Sequence, residues 1–123
     1  MNLLMLALAG AAGTLARFGL HGAAQRLSET HLPAGTLAVN ALGSFLFGVI
    51  WSLAEERAAI SPQTRQVLLV GFLGAFTTFS TFSFETGQLI RSGAYLAAAG
   101  NIAAQNALGI GLFLVGAWAG GLV

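Results

Sequence analysis

The chain has 123 residues, of which 56% are apolar and 7% charged, with a mean hydropathy of +0.81, whereas an ordinary soluble domain carries roughly 25% charged residues. That is a membrane protein's composition, and since roughly 20 apolar residues cross a bilayer core about 30 Å thick, the length accommodates about four helical spans and no soluble domain. The nine charges are five Arg and four Glu, with no Lys, Asp or Cys, which excludes a P-loop, an aspartate triad, thiolate chemistry and cysteine-ligated metals, and a net charge of +1 leaves no nucleic-acid footprint.

In chain order, Met1 to Ala16 is uncharged and lacks a preceding basic segment, so it reads as a mature helix and not a cleaved signal. Arg17 interrupts, and Phe18 to Gln25 continues uncharged to Arg26, so the first helix either stops early or carries Arg17 within its length, the second reading giving a first span over 2–26. Arg26, Ser28, Glu29 and His31 before Pro33 form a turn. The second span covers 33–54 and is closed by Glu55, Glu56 and Arg57. Ser61-Pro62 is a helix-start signal, with Ser as the cap and Pro in the first turn, and opens a third span over 64–90. Gly93 marks the next turn, and a fourth span covers 93–121. The expectation is a single all-α, four-span membrane domain over 1–123.

Both termini then lie on one side, where Arg57 and Arg65 also fall, while Arg26 and Arg91 lie on the other. The positive-inside rule needs an excess on one face, and none exists. Either a partner or weak local signals orient the chain, or both orientations occur, which permits an antiparallel homodimer. The seventeen glycines are roughly double the usual share of about 7%. Gly116 and Gly120 form a GxxxG, and Ser44 and Gly48 repeat the small-residue spacing, which suits close helix contact within one bundle or between copies.

Several polar residues stand at membrane depth. Asn40 lies inside the second span, where an unpaired carboxamide costs several kcal/mol or demands a partner; it is either interhelical glue or a functional donor. Within the third span, Gly71 to Glu85 carries five hydroxyls, on Thr77, Thr78, Ser80, Thr81 and Ser83, interleaved with phenylalanines. Glycine and β-branched threonine near its middle, close to Thr78, favour a broken helix. Carbonyls freed there are tolerated only inside protein or against a cavity, and those of Gly74 and Thr77 would suit a hard cation. Phe79 and Phe82 share a helical face. They are either packing residues or, beside the hydroxyls of Ser80 and Thr81, positive ring edges for a small anion. Arg17 either snorkels to the interface or faces a cavity where its charge attracts anions. Glu85 is an interfacial charge or a vestibule residue.

The segments GAAGTLARF (10–18), TLAVNALGSFLFG (36–48) and GFLGAFTTFSTFSFE (71–85) resemble the fluoride channels of the Fluc family, also called CrcB, in order through three of four spans. The resemblance implies an antiparallel, dual-topology homodimer with two pores that exports fluoride passively from the cytoplasm across the plasma membrane, or the inner membrane of a Gram-negative cell. It assigns Asn40, Phe79, Phe82, Ser80 and Thr81 to the fluoride pore, Arg17 and Glu85 to the vestibule, and the Gly74 and Thr77 carbonyls to a structural sodium ion at the dimer axis. Ala75-Phe76 stands where the family often has Gly-Leu, a departure that leaves Gly74 as the break position. The fourth span has Asn101, Gln105 and Asn106 where the family often has Tyr and then Ser, so no role is carried over to them. Two other readings differ in class. A proton-coupled multidrug exporter of four spans needs a carboxylate in the first span, and none precedes Glu29. An accessory membrane subunit leaves Asn40 and the hydroxyl-aromatic run without a purpose. No enzymatic constellation is present.

Overall fold

A computed structural model describes residues 2–30 and 32–122, so Met1, His31 and Val123 lie outside the described residues. The described chain is all-helical. Its four long apolar helices span Leu3–Leu27, Ala34–Glu55, Pro62–Arg91 and Tyr95–Leu122. The first, α1 (Leu3–Leu27), starts where the Asn2 side chain accepts from the amides of Leu4 and Met5, supplying acceptors for two of the four donors every helix start leaves open. Gln25 clamps the turn that follows. Its Nε2 donates to the Leu32 carbonyl at 3.2 Å and its Oε1 accepts from Gly35 N at 3.0 Å, tying α1 to the start of α2 (Ala34–Glu55).

The third span is composite. It opens at α3 (Pro62–Gln66), capped by the Ser61 side chain on Thr64 N. A π-helical stretch (Val67–Leu73) follows, then one short turn, α4 (Gly74–Phe76). After a break at Thr77 and Thr78 it resumes as α5 (Phe79–Arg91), and α6 (Tyr95–Leu122) returns along α2. A π-helical turn is wider than an α-helical one, and here it lies flush against α1: a Cβ at Gly13 would collide with the Phe72 backbone, and Gly71 packs on Leu6 and Ala9.

Val39, Leu73 and Phe76 form the buried core, flanked by Ala16, Leu20, Leu46, Ile50, Leu69 and Phe72. Beside it, α2 and α6 meet backbone to backbone. Side chains at Gly48, Gly116 and Gly120 would run into the carbonyl oxygens of Phe113, Phe45 and Val49 respectively. The GxxxG pattern is therefore used within one chain, the first of its two sequence readings. Arg57 Nη1 donates to the Gly121 carbonyl at 2.9 Å, closing the end of α6, and Arg65 pairs with Glu55. α5 leans on α6, braced by Asn101 Nδ2 donating to Thr86 Oγ1 at 2.9 Å.

Candidate functional site

The break in the third span organises everything polar around it. Leu73 O accepts from both Thr77 N and Thr77 Oγ1 at 3.0 Å, ending the first half of the span. Thr77 (φ −90°, ψ 158°) and Thr78 (φ −148°, ψ 117°) are extended, a conformation β-branched residues accept readily. Gly74, expected as the break position, is helical at φ −60°, ψ −35°. The chain departs from the helix three residues later because a partner is available there. Thr78 N, which an uninterrupted helix would give to the Gly74 carbonyl, donates to Asn40 Oδ1 at 2.8 Å, and Thr78 O accepts from Asn40 Nδ2 at 3.0 Å. From the other side, α1 contributes Arg17, whose Nε donates to the Ala75 carbonyl at 3.0 Å. Arg17 is thus a donor to the break. Thr78 also caps α5: its Oγ1 accepts from Thr81 N at 3.2 Å and donates to Thr81 Oγ1 at 3.0 Å.

Two carbonyls lose their helical donors by these diversions. Thr78 N leaves Gly74 O for Asn40, and Thr81 N leaves Thr77 O for the Thr78 hydroxyl. They are the two carbonyls nominated from sequence as cation ligands, and Gly74 is exposed on the outer surface of the chain. Oxygen donors of this kind fit a hard cation. No group of three or more His, Asp or Glu that could hold a metal occurs among the described residues.

Asn40, Ser44, Thr77, Thr78, Phe79 and Phe113 line part of a cavity of about 290 Å³. The Phe79 ring is 78% exposed on the single chain and lies 5.6 Å from Phe82, centroid to centroid, tilted by 54°. Asn40 makes the interhelical hydrogen bonds that one of its two sequence readings expected. A carboxamide has two N–H donors, and both are taken, one by Thr78 O and one by Gln105 Oε1 at 3.1 Å; the residue secures the break and has no N–H left over. A second cavity of about 400 Å³ gathers Arg17, Phe18, His21, Arg26 and Thr81, a cationic space that reaches the capped start of α5. Ser80 is exposed and does not line Asn40's cavity, and Glu85 is half-buried with one carboxylate oxygen that no atom of the described residues satisfies.

Sequence reasoning did not assign Thr78, whose backbone is the partner of Asn40, or Gln105, which Asn40 touches across to α6. Gln105 carries a signal, a long polar side chain in an otherwise apolar span, but not its partner's identity.

Fold and site together define a four-span membrane protein whose third helix is interrupted beside a polar cavity and whose first helix lines a second, cationic one. A family model described as CrcB-like protein, Camphor Resistance (CrcB), matches residues 4–117. The chain is 52% identical to the Fluoride-specific ion channel FluC of Nitrosococcus oceani over 89% of its own length and 87% of that protein's. It is 48% identical to the protein of the same name from Desulforapulum autotrophicum over 96% and 94%, and 44% identical to that of Geobacter sulfurreducens over 97% and 93%. The chain belongs to the CrcB family of fluoride-specific ion channels.

Proposed function

We propose that this chain is a passive, fluoride-selective channel of the plasma membrane. It works as an antiparallel homodimer with two pores and a structural sodium ion, and lets cytoplasmic fluoride leave the cell down its gradient. The observation that carries this reading is the interrupted third span, pinned by Asn40 and Arg17 in a chain that matches fluoride channels along nearly its whole length. Fluoride is small and strongly hydrated, so a conducting path must replace its water with several donors, none binding too tightly for release. Arg17 and Arg26 raise the local anion concentration at the vestibule, Thr81 lies at its inner end, and the Phe79 and Phe82 edges offer weaker positive potential.

The dimer is supported by the balanced arginines and by polar groups left on the outer surface at mid-span, Ser80 among them, which are costly against lipid and are covered by a second copy. Sodium at the two-fold axis would take the Gly74 and Thr77 carbonyls of both copies, supplying positive charge that joins the two broken helices.

The test is efflux from liposomes loaded with potassium fluoride or chloride, started by a potassium ionophore and followed with ion-selective electrodes. Rapid fluoride efflux with chloride retained is the expected result. Fluoride release no faster than from protein-free liposomes, or equal rates for both halides, overturns the reading.

A further inference from the structure

Arginine keeps its charge at every physiological pH, whereas an imidazole takes up a proton between about pH 5 and 8. The cavity that gathers Arg17, His21, Arg26 and Thr81 therefore holds two fixed charges and one variable one. The fold seats His21 there. Its ring edge, Cγ and Cδ2, lies against buried Gly35, where a Cβ would come within 2.8 Å of both atoms, so the bare glycine backbone at the start of α2 makes room for the imidazole. Arg17 stands one turn earlier on the same face of α1 and directs Nε to the Ala75 carbonyl. Arg26 folds back along α1, its Nη1 3.4 Å from where a Cβ would stand on Gly22. Arg17 and Gln25, on either side of His21 in α1, hydrogen-bond across the chain. The half-buried His21 ring has no such partner among the described residues, and its nitrogens are left open to the cavity.

Among the described residues no carboxylate lines this space. Of the elements packed on α1, α2 carries its one titratable group, Glu55, at the opposite end, and the π-helical stretch and α4 carry none. On α5, Glu85 lies one turn beyond Thr81 and outside the lining, Arg91 ends the helix, and Glu29 is exposed in the turn after α1. The charges that face the ring are the two guanidinium groups.

We propose that His21 is a proton-dependent third cation at the fluoride entrance, so that this protein conducts faster as the pH falls. This rests on the fluoride-conduction reading. A protonated imidazole adds a full positive charge beside two arginines, and an anion among the three offsets their repulsion. By reciprocal linkage the proton raises the cavity's affinity for the anion, and the anion its affinity for the proton. A neutral imidazole leaves capture to Arg17 and Arg26 alone.

The experiment records fluoride currents across planar bilayers at about pH 5.5 and about pH 7.5, with equal pH on both faces, for the parent, His21→Gln and His21→Arg. Hydrogen fluoride is neutral and carries no current. Below half-saturating fluoride, the parent current is expected to be about two- to fivefold larger at the lower pH, the scale of one unit charge a few ångströms from the ion in water. The difference closes at saturating fluoride and shrinks as an inert salt raises the ionic strength. His21→Gln is expected to lose the response and fall below the parent at the lower pH, and His21→Arg to conduct at the parent's low-pH level at both. Either variant, assembled by size-exclusion chromatography, decides the question if the other fails to fold. A parent current independent of pH, or a response that persists without the imidazole and so belongs to another group such as Glu85, overturns the proposal. A parent that passes no fluoride at either pH overturns the conduction reading instead.

Discussion

Asn40 and Thr78 are joined twice, Oδ1 accepting from Thr78 N at 2.8 Å and Nδ2 donating to Thr78 O at 3.0 Å, so that a side chain of α2 satisfies the backbone of one residue of the broken third span as a neighbouring strand would. Inside a bilayer an extended residue has no water to satisfy its backbone. Thr78 can be extended there because Asn40 stands opposite it.

Asn40→Asp tests that pairing. The aspartate retains the acceptor for Thr78 N but places an oxygen against the Thr78 carbonyl and Gln105 Oε1, where the native amide donates. Loss of two part-buried hydrogen bonds is expected to destabilise the protein by about 2–3 kcal/mol and to abolish fluoride flux. Thermal unfolding in detergent together with liposome efflux measures both, and a variant with parental stability and flux would show the pairing to be dispensable.

The contact between α2 and α6 makes a prediction about stability. A methyl group at Gly48 or Gly116 collides with a carbonyl oxygen of the facing helix, whereas Gly100 meets nothing within 4 Å. Gly48→Ala and Gly116→Ala are therefore expected to destabilise by about 1–3 kcal/mol or more, with Gly100→Ala neutral or slightly stabilising as alanine improves the helix. Equal melting temperatures for all three would contradict the close approach.

Phe79→Ile and Phe82→Ile retain apolar bulk and remove the positive ring edge. Fluoride efflux is expected to drop by about tenfold or more, the loss of more than about 1.4 kcal/mol of stabilisation for the passing ion. Parental rates in both variants, with elution unchanged, would reduce the rings to packing.

Sodium removal and Gly74→Val address the proposed ion. A Cβ at Gly74 meets only the Leu69 carbonyl, at 3.7 Å, so the substitution leaves the isolated chain intact and obstructs what approaches that outer surface. The expected outcome is a folded helical protein that elutes as a monomer, while Thr77→Ala, which alters no backbone ligand, is mild. Flux that persists unchanged after rigorous removal of sodium, with no cation in its place, would argue against a structural ion.

Orientation is the last test. With Arg57 and Arg65 opposed to Arg26 and Arg91, a C-terminal tag is expected to be accessible from both faces of the membrane, and two or three Lys added to the loop between Ala58 and Gln63 should bias insertion and depress activity when that variant is expressed alone. Labelling from one face only would refute dual topology.

Some of this was legible in the amino-acid order alone. Charge-free runs punctuated by Arg and Glu determined four helices, since a bilayer tolerates little else, and the Gly-Thr-Ser-Phe run placed a break in the third. The motifs at residues 10–18, 36–48 and 71–85 marked the family. Tertiary structure decided the rest. The break falls at Thr77 and Thr78, close to where the threonines of the run put it and not at the Gly74 of the family resemblance, because backbone leaves a helix where another segment can satisfy it, and Asn40 lies opposite Thr78. The Gly116–Gly120 pair turned out to pack within the chain, since small residues mark a close approach but not its partner. Asn40's donors were undecided for the same reason: a carboxamide's chemistry is written in its residue type, but which of its donors are already taken depends on a neighbour 65 positions away, and only the folded chain brings the two together.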